Sequence, residues 1–193
     1  MNEIKSIIET SNFLFERKLV TGKAGNVSIK FQKNGETVIG ITPTLKSLHN
    51  LKEEDIVIVD LEGNTLSNGK PSSEVHMHLA IYKAKPDINA IVHTHSPYAT
   101  GFAFSKHRIR RLEGFGKIKN PYLAEIEYEK PGSQELANKA AEALKNEDVL
   151  ILKKHGVIST GKTMQEAESL ADFTEEISKT QFIARTLNIS WKN

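Results

Sequence analysis

The sequence predicts an α/β chain, a three-layer α/β/α domain built around a largely antiparallel central sheet. Three observations lead there. Residues 3–19 and 163–187 carry apolar side chains at helical spacing, whereas Val/Ile-rich runs of strand length lie between them. Several of those runs are joined by hairpin-type turns, Asn34-Gly35 foremost. A purely parallel, doubly wound sheet would need long crossovers in place of such hairpins. With 193 residues, 38% hydrophobic and 26% charged, the chain suits one globular domain spanning 1–193.

The elements follow in order. Ile4, Ile7, Ile8, Ser11, Leu14, Phe15 and Leu19 share a face, giving an amphipathic helix that ends near Lys18. The glycine-rich stretch from Thr21 opens a strand over Val27–Phe31, and Asn34-Gly35 turns it into Thr37–Ile41. Thr42-Pro43-Thr44 closes that strand with two hydroxyls on a rigid turn. Ile56–Val59 is an apolar strand ending at Asp60, with turns at Glu62-Gly63-Asn64 and Asn68-Gly69.

Residues 70–82 predict a helix opened by serine caps and stopped at Pro86. Ile88–Ser96 reads as a buried strand and Tyr98–Phe104 as a short helix. The stretch 105–131 holds a basic run and one strand, Tyr122–Tyr128; Ser133–Leu144 is an alanine-rich helix. Val149–Lys153 is a strand that His155-Gly156 interrupts and Val157–Thr160 continues. Thr163–Leu187 is a long helix with Leu170, Phe173, Ile177, Ala184 and Leu187 inward.

Composition excludes several functions. Nothing approaches ~20 consecutive apolar residues, so a membrane span is not expected. The N-terminus lacks a signal-peptide core and reads as a helix start. A net charge of +2 gives no footprint for nucleic acid. Zero cysteines remove disulfides and thiolate ligands, and fit a cytoplasmic protein. Any metal must be held by histidine and carboxylate.

The chemistry centres on His93-Thr94-His95. Side chains alternate along a strand, so His93 and His95 share a face, about 6–7 Å apart at roughly 3.3 Å per residue. One buried histidine is ordinarily a satisfied core residue, but a phased pair at the mouth of an apolar strand points to a metal. His155, at a strand end before Gly156, completes three histidines, the count a catalytic zinc uses before water or substrate. His76 and His78 also alternate, but on a helix residues two apart lie about 200° apart, so they cannot share an ion. His78 is therefore read as core or interface, and His76 as surface.

Glu74 lies at a helix start, where a carboxylate complements the helix dipole or serves as a releasable ligand and acid/base. Ser72 and Ser73 are ordinary caps or an anion site at that helix N-terminus. Asn26, Ser28, Thr42 and Thr44 add small donors that suit a phosphate held without arginine. Gly156–Thr163 matches the phosphate-loop pattern G-x-x-x-x-G-K-[ST]. Too little chain follows for a nucleotide-binding sheet, so it is read as strand, turn and a capping box. The basic run Lys106–Arg111 contains no aromatic stacking partner and reads as a solvated or interface face.

Taken together, Gly25-Asn26-Val27-Ser28, Thr42-Pro43-Thr44, Pro71-Ser72-Ser73-Glu74, His93-Thr94-His95 and His155-Gly156 resemble the class II aldolase and adducin head-domain family. The resemblance implies Zn²⁺ on His93, His95 and His155, with Glu74 as acid/base and resting-state ligand. It implies that Asn26, Thr44, Ser72 and Ser73 hold a substrate phosphate, and that four chains form a homotetramer with active sites between subunits. The implied reaction is cleavage of a phosphorylated ketose of the L-fuculose 1-phosphate type into dihydroxyacetone phosphate and an aldehyde. An L-ribulose-5-phosphate 4-epimerase, a sugar-phosphate dehydratase and an adducin-like binding module are the alternatives. A Schiff-base aldolase using Lys153 or Lys154 is the mechanistic rival. Two departures stand out: Leu45 replaces the family's usual glycine, and no tyrosine occupies 108–121 to act as the second acid.

Overall fold

The chain alternates helix and strand as Glu3–Glu16 (α1), Asn26–Lys33 (β1), Glu36–Ile41 (β2), Val57–Val59 (β3), Val75–Ala84 (α2), Ala90–Thr94 (β4) and Pro97–Ala103 (α3), followed by Ala124–Ile126 (β5), Gln134–Leu144 (α4), Val149–Leu152 (β6), Gly156–Gly161 (β7) and Met164–Thr186 (α5). These assignments come from a computed structural model that describes residues 3–112 and 120–187. The strands form one sheet in the order β3-β2-β1-β4-β7-β6-β5. Each neighbouring pair is antiparallel except β5 with β6. Asn34 and Gly35 both take positive φ, 53° and 86°, as a two-residue hairpin turn of the primed type requires.

Strand alternation sorts the sheet into two faces. Ile39, Ile41, Ile91, Leu150 and Ile158 point to one side, where α2 and α4 cover them. Val27, Ala90 and Val92 point to the other, against α1 and the start of α5. Further along that second side, α3 and Ile177 of α5 pack on Val149, Ile151 and Val157. The result is the three-layer arrangement with a mostly antiparallel sheet.

Two expectations change. The chain does not continue straight from Val149–Lys153 into Val157–Thr160. It reverses at Lys153–His155, with Lys154 at φ 57°, so that β6 and β7 pair antiparallel. On α5 the buried stripe runs through Ala167, Ala171, Thr174, Ile177, Ser178, Gln181 and Ala184, while Leu187 is exposed. Hydrophobic periodicity found Ile177 and Ala184 but missed Thr174, Ser178 and Gln181, three of these seven, because they are polar. Thr174 and Ser178 hydroxyls donate to the carbonyls of Leu170 and Thr174 one turn back, so their burial leaves no donor unmet. Gln181 likewise brackets Arg110, accepting from its N–H and donating to its carbonyl.

Candidate metal and acid–base site

The register of β1 against β4 sets the first two residues of the site. Asn26 stands opposite His93 and Ser28 opposite Ile91, and because Ile91 faces α2, so do the other three. β4 ends at Thr94, so His95 is free of the pleat and its ring centroid lies 4.8 Å from that of His93. Their Nε2 atoms are 3.0 Å apart. The β6–β7 turn delivers His155, with its ring 4.8 Å from His93 and 5.0 Å from His95.

Gly156 is what lets this turn approach. A Cβ there would stand 2.4 Å from the carbonyl oxygen of Thr94 and 3.1–3.2 Å from the His95 and His93 rings. Gly25 plays the matching part before β1, at φ 81°, where a Cβ would meet Val20 at 2.5 Å and the His93 carbonyl at 2.8 Å.

Glu74 occupies the N-cap position of α2, a residue earlier than the expected first turn, and its side chain turns into the site. Oε2 lies 3.2 Å from His93 Nε2, and Oε1 lies 3.5 Å from His155 Nε2. Asn26 Nδ2–H donates to Oε2 at 2.9 Å. His93 Nδ1–H donates to the Val157 carbonyl at 2.9 Å, which leaves Nε2 facing the other histidines.

The residues fit a divalent cation. One nitrogen from each of His93, His95 and His155 lies within 4.8 Å of the others. Glu74 Oε1 is buried without a hydrogen-bond partner among the described residues. Three imidazoles and an adjacent carboxylate form the donor set of a catalytic zinc-type site.

Electrostatics agree with that chemistry. Burial pushes the Glu74 carboxyl up, but the charge and hydrogen bond of His93, with His155 and Asn26, outweigh it and hold the group well below the usual carboxylate range. Burial, then the neighbouring histidines, push His95 down to about 3 and His155 down to about 4. Both are therefore neutral ligands near neutral pH. Burial pushes His93 down, yet the charge and hydrogen bond of Glu74 outweigh it, so its net shift is upward.

The small polar residues divide. Thr44 N–H donates to the Lys70 carbonyl and Ser72 N–H to the Thr42 carbonyl, so residues 42–44 lie against 70–72 beside Glu74. Thr44, Ser72 and Ser73 are thus brought to one place, with Ser73 exposed and Ser72 Oγ accepting from the Glu74 N–H. Thr42 and Ser28 are spent inside the fold, Thr42 on the Val27 N–H and Ser28 on His78 and Tyr82. Leu45 takes φ 58°, a left-handed conformation in which glycine is free of strain.

Other expectations meet their outcomes here. Gly156–Gly161 is strand β7, and Thr163 caps α5 by accepting from the Glu166 N–H, while Glu166 reaches back to the Lys162 N–H. No phosphate-cradling loop exists there. Lys153 donates to the Ser105 carbonyl. From outside the basic run, the Tyr122 ring lies 4.9 and 5.9 Å from Arg108 and Arg110. The segment 113–119 and Trp191 lie outside the described residues.

Sequence reasoning missed that Asn26 grips Glu74, and that His78 lies behind it. Parity gave little signal, because Asn26 and Ser28 share their strand face with Lys30 and Gln32, which reads as a solvated side, and only His78 stands among apolar neighbours.

A family model described as Class II Aldolase and Adducin N-terminal domain matches residues 5–182. The chain is 39% identical over 186 residues to an L-fuculose phosphate aldolase of Methanococcus vannielii, covering 96% of this chain and 99% of that one. It is 32% identical to a 3-oxo-tetronate 4-phosphate decarboxylase of Haemophilus influenzae, over 94% of this chain and 86% of the relative. The solved structure of an L-fuculose 1-phosphate aldolase superposes with a TM-score of 0.87 at 29% identity, covering 96% of this chain and 87% of the other. The same order of histidines and carboxylate that builds the site thus sits in a chain that belongs to the class II aldolase and adducin N-terminal domain family.

Proposed function

We propose that the protein is a Zn²⁺-dependent class II aldolase that reversibly cleaves a phosphorylated ketose of the L-fuculose 1-phosphate type into dihydroxyacetone phosphate and an aldehyde. The observation that carries this reading is the convergence of His93, His95 and His155 on the buried carboxylate of Glu74. Its relatives' names support the choice of reaction.

A divalent ion held by the three histidines supplies Lewis-acid polarisation of a substrate carbonyl when bound. The chain's own part is proton movement. Retro-aldol cleavage removes a proton from the hydroxyl of the far carbon, breaks the C–C bond, and delivers a proton to the carbon beside the carbonyl. Glu74 is the base and acid for this transfer. As an ionised carboxylate it can accept that proton and later return one. Asn26 spends one Nδ2–H on Glu74 and keeps a second; with Thr44, Ser72 and Ser73 it offers the donors that hold the phosphate.

The same reading makes the chain a cytoplasmic homotetramer. In support, Phe182 is exposed 5.5 Å from the Tyr98 ring, with Ile183 and Leu187 exposed beside it, an apolar surface that a subunit contact would cover. No helix among the described residues is long and apolar enough to cross a membrane.

The test is a panel of sugar phosphates given to metal-replete protein, with triose phosphate release as the readout. Release from L-fuculose 1-phosphate is expected. Interconversion of L-ribulose and D-xylulose 5-phosphates without triose would make the protein an epimerase. Carbon dioxide from a 3-oxo-tetronate 4-phosphate would favour a second reading, the decarboxylase activity named for one relative.

A further inference from the structure

Behind Glu74 runs a line of buried polar groups that starts at Asn26 and leads away from the three histidines. His78, one turn after Glu74 on α2, is fully buried. Its Nε2 is 2.5 Å from Asn26 Oδ1, and its Nδ1 is 2.7 Å from Ser28 Oγ. Ser28 Oγ is 2.9 Å from the Tyr82 hydroxyl, and Asn26 Nδ2 closes the line on Glu74 Oε2 at 2.9 Å.

Proton positions along the line follow from its charged end. An ionised carboxylate only accepts, so Asn26 must turn its amide N–H to Glu74 and its carbonyl to His78. A carbonyl only accepts, so His78 carries its proton on Nε2. Nδ1 is then a lone pair, and Ser28 must donate to it. Ser28 has no second hydrogen, so its oxygen takes the proton of the Tyr82 hydroxyl. Every donor in the line therefore points toward Glu74.

Simple satisfaction of buried groups does not require that direction. The mirror arrangement, with Asn26 flipped and His78 protonated on Nδ1, pairs His78, Ser28 and Tyr82 equally well, since the Tyr82 hydroxyl also has the Asn89 carbonyl at 3.4 Å. It fails at one place only, where it sets the Asn26 carbonyl against a carboxylate oxygen. Burial pushes the His78 ring down to about 3, so the ring is neutral and the choice lies between two tautomers.

We propose that His78 is a positioning residue for Glu74: as the Nε2–H tautomer, with Ser28 donating to its Nδ1 and Tyr82 donating to Ser28, it locks the Asn26 amide so that an N–H faces the carboxylate. This rests on Glu74 being the acid/base of the reaction. The lock matters because an Asn amide is nearly symmetric in shape, and packing alone does not choose its orientation.

The experiment has two readouts. Long-range ¹H–¹⁵N correlation spectra of metal-free protein report the His78 tautomer directly. Wild type should show Nε2–H, and so should Ser28→Ala, because the alanine leaves no acceptor for an Nδ1–H while the Asn26 carbonyl still accepts from Nε2–H. In metal-replete protein, Ser28→Ala and Tyr82→Phe should each lower kcat several-fold to about tenfold, as expected when a hydrogen bond serving a charged group is weakened. KM and metal stoichiometry should stay unchanged, since neither residue touches the ligand set. Tyr82→Phe keeps the ring volume and serves if Ser28→Ala folds poorly. An Nδ1–H tautomer in wild type, or kcat unaltered in both Ser28→Ala and Tyr82→Phe, overturns the proposal. Near-normal turnover by Glu74→Gln would overturn the reading of Glu74 and this role with it, and is recognisable because wild-type His78 would still be Nε2–H.

Discussion

Asn26 and His93 stand directly opposite each other on neighbouring strands, and both reach the same oxygen, Glu74 Oε2, at 2.9 and 3.2 Å. A single cross-strand pair thus joins the histidine cluster to the Glu74 carboxylate. Slippage of β1 against β4 by one residue would send Asn26 to the other face of the sheet and leave the carboxylate ungripped.

The first expectation concerns the ion. Metal-replete protein should hold close to one divalent ion per chain by elemental analysis. His93→Ala and His155→Ala should each reduce that content sharply. Full occupancy in the double variant would remove these residues from the ligand set.

Glu74→Gln should lose about 10²–10⁴-fold in turnover, the range typical of a general acid–base group. The amide preserves the N-cap geometry of α2, and three histidines still hold the ion, so fold and most metal binding should persist. Turnover near that of wild type at matched metal content would take the carboxylate out of the mechanism.

Gly156→Ala should be costly although the change is one methyl. The added carbon meets a backbone oxygen at 2.4 Å, which cannot rotate aside as a side chain can. Destabilisation of about 2 kcal/mol or more is expected from such overpacking, with metal content falling as His155 is displaced. An unchanged thermal midpoint and full metal content would contradict the close approach.

Acid should weaken the metal-free protein below about pH 6.5. His78, His95 and His155 have folded pKa values pushed down, to about 3, 3 and 4, so the unfolded chain binds their protons first. Between those values and about pH 6.5 the unfolded state carries more protons, and stability falls with falling pH by about 1.4 kcal/mol per unit for each such histidine. The urea midpoint at pH 5 should lie well below that at pH 8. A higher midpoint at pH 5 would reverse the sign and the assignment.

Much of this molecule was legible before its structure. Asn34-Gly35 marked its hairpin, and the His93/His95 spacing marked two rings that do meet, although β4 ends at Thr94 and His95 reaches its neighbour from beyond the pleat. The reversal at Lys154 was not readable, because a lysine in a left-handed turn carries none of the usual glycine or asparagine signal. The α5 stripe escaped because Thr174, Ser178 and Gln181 satisfy themselves once buried, which hydropathy cannot register. His78 was placed correctly in the interior, but its partners come from β1, some fifty residues away, and only the sheet register reveals them.

The spread of the site along the chain also bears on how the protein comes to be folded. His93 and the Val157 carbonyl that orients it are 64 positions apart, and Asn26 and Glu74 are 48 apart. The first link needs β4 paired with β7 and the second needs β1 brought beside the start of α2, contacts that close long loops and therefore form slowly. The helices and the β1–β2 and β6–β7 hairpins can appear early, but they hold no complete set of ligands. Recovery of metal binding during refolding should accordingly lag behind recovery of helical circular dichroism, making the ion a timer for the last long-range step.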